Sequence, residues 1–216
     1  MSRFPIFLAA LALAGCNSQP GIADTARLGP FFTPKNYTGD VRLPNSIQRV
    51  VLLPVHGGDA APVEATEPLD SVFATALQRQ MRFEVVTLSR EECQKSYGVP
   101  DLGSTDALPH NLLLDLSRKY AVDAVVFIDV TSYHPYRPIA LGVRAKLAAI
   151  DGSRLVWAFD EVFSATNPAV ANSARRYFLF SEAGPTPYDP TSGALQSPTR
   201  FGAYVADAVF RTLPPR

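Results

Sequence analysis

The stretch His56-Gly57-Gly58-Asp59 comes nearest to catalytic residue types in this chain. A histidine can act as general acid or base near neutral pH, and adjacent glycines could bring backbone amides up to an oxyanion. Acyl transfer also needs an activated nucleophile, and the sequence has no G-x-S-x-G elbow. The plainer reading is a turn, with the glycines allowing a sharp exit from a preceding strand. His56, His110 and His134 show no metal-ligand spacing among themselves or with a carboxylate. Neither metal nor cofactor is expected. Asp129, Asp160 and Glu161 could pair as carboxylates, although charge at strand edges explains them as well. Tyr133, His134, Tyr136 and Arg137, bracketed by Pro135 and Pro138, form a different kind of group. Aromatics and arginine on a connecting loop suit a protein-binding surface, and packing over the sheet edge is the alternative.

The N-terminus speaks to location. Arg3 supplies a positive start, residues 4–13 an apolar core, and Leu13-Ala14-Gly15-Cys16 a small-residue cleavage site ending in cysteine. This resembles the lipobox of bacterial lipoproteins, which implies lipidation of Cys16 after removal of residues 1–15. The apolar run is shorter than the roughly 20 residues needed to span a bilayer. The expectation is therefore a chain anchored by lipid, since several acyl chains hold far more firmly than one. Asn17, where an aspartate would favour retention, suggests the outer membrane. With Cys16 acylated, Cys93 is the only thiol left, no intrachain disulfide can form, and Cys93 reads as a small packing residue.

The 216 residues are 47% hydrophobic and 19% charged, enough for one good-sized core. Lys+Arg and Asp+Glu both number 20, so losing Arg3 with the leader leaves a single excess negative charge. Nothing in that balance favours nucleic acid as a partner.

Residues 16–48 contain Pro20, Gly21, Gly29, Pro30, Pro34, Gly39 and Pro44 without helical or strand period, and read as a tether. Flexible, some thirty residues would reach about 30 Å. Phe31, Phe32 and Tyr37 suggest that part of it docks on the domain formed by residues 49–216. The run 49–55 (RVVLLPV) has the pattern of a strand covered on both faces. Thr66 is placed to cap a helix carrying Leu69, Val72, Phe73, Ala76 and Leu77 on one side, with Arg79 and Arg82 at its end. Residues 83–88 form the next strand, Ser89-x-x-Glu92 a capping box, 109–120 a helix and 124–130 a third strand. The alternation Leu141, Val143, Ala145, Leu147 and then Leu155, Trp157, Phe159, Phe163 predicts a hairpin. A three-residue loop 150–152 would pair Leu147 with Leu155, Ala145 with Trp157 and Val143 with Phe159. Helices follow at 167–181 and after Ser197-Pro198. The fold class is a single α/β domain. Its sheet is mixed and of about five strands, a parallel βαβαβ part plus an antiparallel hairpin, flanked by helices.

The lipobox, the RVVLLPV strand with its helix, and VDAVVFIDV leading to VRAKLAAIDGSRLVWAFDE together resemble a group of periplasmic lipoprotein domains. It comprises the curli-secretion channel lipoprotein, the lipoprotein activators of penicillin-binding proteins and the N-terminal domain of the Tol propeller protein. The resemblance covers roughly residues 49–165 and the last helix, and its motifs mark the fold without carrying catalytic residues. It implies a non-enzymatic, outer-membrane-anchored, periplasm-facing lipoprotein that binds another envelope protein. A pore is not expected, because the long amphipathic stretches of a barrel are missing. Two other readings stay open: a periplasmic hydrolase using the His56 loop, and a carrier with a ligand pocket between the sheet and the terminal helix.

Overall fold

A computed structural model describes residues 22–181 and 193–216. One mixed six-stranded sheet runs in the order β1-β6-β5-β4-β2-β3. The strands are β1 (Tyr37–Gly39), β2 (Arg49–Leu52), β3 (Glu84–Thr87), β4 (Ala124–His134), β5 (Ala140–Ala149) and β6 (Leu155–Ser164). β2 lies parallel to both β3 and β4, and β4, β5 and β6 form an antiparallel meander. The sixth strand, beyond the five expected, is β1, contributed by the tether and paired antiparallel with β6.

The helices are α1 (Ile22–Leu28), α2 (Val63–Gln78), α3 (Arg90–Tyr97), α4 (Leu112–Tyr120), α5 (Pro168–Ser181) and α6 (Pro198–Phe210). α2 carries the chain from β2 to β3, and α3 and α4 carry it from β3 to β4. They lie on opposite faces, because alternate residues of β2 enter different cores. Val50 and Leu52 pack with Leu69 and Phe73 of α2 and with α6, whereas Val51 and Leu53 pack with Cys93, Leu112 and Leu116. The continuous apolar run 49–55 is thus consumed on both sides.

Trp157, Phe159 and Phe163 of β6 are buried beneath Phe210 and Tyr204 of α6. Each large apolar side chain fully buried there contributes about 1.5–3 kcal/mol. The hairpin register differs from the expected one by two residues: Ala145 faces Phe159, Leu147 faces Trp157 and Val143 faces Glu161. The connection is longer than three residues. Ala149 donates to the Arg154 carbonyl, Gly152 at φ +70° closes the turn, and an irregularity after Leu147 takes up the difference. Alternation fixed which side chains point inward but not the step along the strand.

Helix α2 begins earlier than Thr66, at Val63 behind Pro62, so Thr66 is an interior, fully buried residue. Arg79 donates to the Tyr177 hydroxyl at 3.1 Å, and Arg82 reaches the carbonyls of Leu213 and Pro214. The Ser89 cap is as expected, its hydroxyl accepting from the Glu92 amide at 3.1 Å. So is the Ser197 cap of α6.

The stretch leading into β1 docks on the domain through its aromatics. Phe32 meets Phe163 edge-on with ring centres 5.5 Å apart, and its amide donates to Ser173 at 2.8 Å. Lys35 and Asn36 amides donate to the Glu161 carboxylate at 2.9 and 3.4 Å. α1 packs against α5, with Ala26 fully buried.

Candidate functional site

β4 runs on past Val130 to His134, so two of the four candidate binding residues belong to a strand and not to a loop. Tyr133 pairs with Leu141 and His134 with Ala140 across the ladder to β5. An irregularity between Val130 and Ser132 turns Tyr133 toward the main core, and burial raises its phenol above the ordinary range. His134, Tyr136 and Arg137 are exposed, Tyr136 to 84%. The β4–β5 ladder therefore presents an aromatic and a guanidinium on the connection at its end, residues 135–139, while Tyr133 packs at the base.

His56 leaves β2 alongside β4, its amide donating to the Ile128 carbonyl at 2.8 Å and its carbonyl accepting from Val130 at 2.7 Å. Its ring Nδ1 lies 2.7 Å from Asp101, and Nε2 lies 3.5 Å from Asp106. Gly57 turns the chain, accepting from the Ala60 and Ala61 amides, and a Cβ there would fall 2.0 Å from the Ala61 oxygen. The glycines thus serve a tight turn. The Ser104 hydroxyl, in the loop between Asp101 and Asp106, donates to Asp129. Among the described residues His56 has a carboxylate on either side and no paired nucleophile, and no group of His, Cys, Asp and Glu could hold a metal ion.

The centre of the cluster is Arg90. Its guanidinium donates to Asp70 at 2.6 and 3.0 Å, to Asp101 at 2.7 Å, to the Val55 carbonyl at 2.7 Å and to Thr66 at 3.1 Å. Asp70 in turn accepts from the Val55 amide at 2.8 Å. One arginine thereby ties α2, the end of β2, the start of α3 and the loop carrying Asp101. Sequence reading missed it: Arg90 stood inside a capping box, and partners 20 positions before and 11 after it leave no local signature. Asp129 is a correction of another kind. It is a buried residue of an interior strand, not an edge charge, and it also accepts from the Ser104 amide at 2.9 Å. Asp160 pairs with Arg144 at 2.8 Å.

Cys93 is buried, and its thiol is pushed up to about 11 by desolvation. Burial thus disfavours the thiolate, the reactive form, and fits a packing residue. Cys16 lies outside the described residues. Among those described, no helix is long and apolar enough to cross a membrane.

No family model and no curated protein matches the chain. Several solved structures do. PelC of Paraburkholderia phytofirmans, solved as a dodecamer, is 12% identical with a TM-score of 0.44, over 80% of this chain and 96% of that one. The lipoprotein GNA1162 of Neisseria meningitidis is 19% identical with a TM-score of 0.42, over 56% and 85%. The LpoB C-terminal domain of Escherichia coli is 17% identical with a TM-score of 0.34, over 53% and 81%. Of these, GNA1162 is itself a lipoprotein. At such identities the likeness is one of fold, and no residue role is transferred from it.

Proposed function

We propose that this chain is a non-enzymatic lipoprotein of the bacterial envelope. It is lipid-anchored at Cys16 in the outer membrane, faces the periplasm, and its α/β domain binds another envelope protein. The observation that carries the reading is the β4–β5 tip. Tyr136 and Arg137 stand exposed on the connection at the end of a long, well-paired hairpin, and aromatics and arginine are the side chains that most often anchor an interface. The lipobox supports the location, and among the described residues His56 is paired with carboxylates and not with a nucleophile, which favours an adapter over a hydrolase.

The test compares two variants in a strain lacking the native gene, scored by envelope integrity with membrane fractionation as control. His56→Ala should leave function intact, whereas alanine at Tyr133, Tyr136 and Arg137 together should abolish it. Loss with His56→Ala and survival of the triple variant would replace the adapter by the hydrolase.

A further inference from the structure

Residues 31–37, α5 and α6 enclose a groove of about 510 Å³, within the range of binding clefts. Phe31, Pro34 and Tyr37 form one wall, Tyr177 and Phe180 another, and Tyr204 lies among them. Phe180 is 62% exposed, a large apolar side chain left to solvent. A smaller hollow of about 270 Å³ shares Tyr177 and Ser181 and adds Arg79.

Charge selects the class of occupant. The Arg176 guanidinium sits 4.3 Å from the Phe31 ring centre and 5.3 Å from that of Phe180. Stacking holds it at the rim, and no ion pair with a carboxylate engages it among the described residues. Asp207, the acid of the groove, is already paired with Arg211 at 2.9 Å. Arg211 is spent on Asp207 and Arg79 belongs to the neighbouring hollow, so among the described residues Arg176 is the guanidinium of this groove left without a carboxylate, beside an aromatic surface, which favours an anion on an apolar body and opposes a basic one. Thr33 and Ser181 set hydroxyls along the same walls, that of Thr212 being taken up by the Trp157 indole and the Val209 carbonyl. These suit the main-chain groups of a peptide better than an acyl chain.

We propose that this groove binds a linear acidic segment of the protein partner, with a carboxylate on Arg176 and an apolar side chain among Phe31, Tyr37 and Phe180. The inference rests on the reading of the domain as a protein binder and adds a contact built of different residues from the β4–β5 tip. Because residues 31–37 are one wall, the segment binds only while that stretch is docked.

The full chain carrying Cys16→Ser, purified and immobilised, is offered a random linear-peptide display library. The enriched sequences should place Asp or Glu within a few positions of an aromatic or aliphatic residue. A synthetic copy of a selected peptide should bind about tenfold more weakly to Arg176→Glu and to Phe180→Ser, and unchanged to the Tyr133, Tyr136, Arg137 triple variant. Both substituted residues are exposed, so the melting temperature should barely move. Enrichment of basic sequences, no enrichment, or equal affinity for the variants would overturn the proposal. So would Arg176-dependent binding of phosphatidylglycerol vesicles in place of peptides, which would make the groove a lipid contact. The parent reading is decided separately. If the tip variant loses function while the groove selects no peptide, only this second contact is lost.

Discussion

Arg90 holds five hydrogen bonds with little exposure of its own, and its loss shows what the cluster is for. Arg90→Met should cost about 3 kcal/mol, because Asp101 and Asp70 would remain as uncompensated charges in a desolvated place. Urea melts measure it, and adding Asp70→Asn and Asp101→Asn should restore part of the loss. No change in the single variant would mean that water replaces the guanidinium freely. Asp207 gives a pH-dependent counterpart. Burial raises its carboxyl above the usual range, against smaller opposing effects of Arg211 and Arg79. The folded chain therefore holds this proton more tightly than the unfolded one. The resulting destabilisation is absent below the ordinary carboxylate range, grows as pH rises through it, and is complete above the raised folded value. Wild type should gain stability relative to Asp207→Asn as pH falls from neutral toward about 4, and a flat difference between their melts would contradict the sign. At this scale the sequence exposed types but not pairings. His56 and the tyrosines could be singled out, yet the charges that hold His56 come from residues 45 and 50 positions away, which no spacing rule reaches.

Elements were more legible, since burial periodicity is local. The helices at 90–97 and 198–210 begin at the caps that their sequence announces, and the inward set of β5 and β6 follows alternation. Legibility ended where a choice depended on a partner. Thr66 has cap chemistry, but Pro62 already opens α2, and the Thr66 hydroxyl is taken up by Arg90 and the Val63 carbonyl. The hairpin register slid by an even step because every even step keeps the same faces. β1 carried no signal, since three exposed residues become a strand only against the edge of β6. The face assignment itself has a direct test. Trp157→Ala should cost about 3–5 kcal/mol, while Val162→Ala, 52% exposed on the other face, should stay within about 0.5 kcal/mol. Chemical denaturation of the two decides it, and comparable losses would reverse the inside and outside of β6.

For the molecule as a whole, Cys16→Ser should release the protein from the membrane fraction, and mass spectrometry of the mature N-terminus should find the acyl groups on Cys16 of the wild type. An unmodified N-terminus at another residue would remove the anchor from the proposal. The docked stretch then changes what such an anchor does. With α1 seated on α5 and residues 31–37 docked on the domain, the proposed lipid at Cys16 would stand only six residues before the first helix, which begins at Ile22. Six peptide steps cover no more than about 20 Å when fully extended. So placed, the proposed attachment would work as a short mount and not as a leash. On the proposed anchoring at Cys16, the domain would be carried close to the bilayer with its α1 and α5 side turned toward the lipid, and a partner would have to approach laterally, along the membrane plane. Lengthening the mount by a flexible insert after Cys16 would keep the affinity of each surface while loosening the bearing from which they are offered.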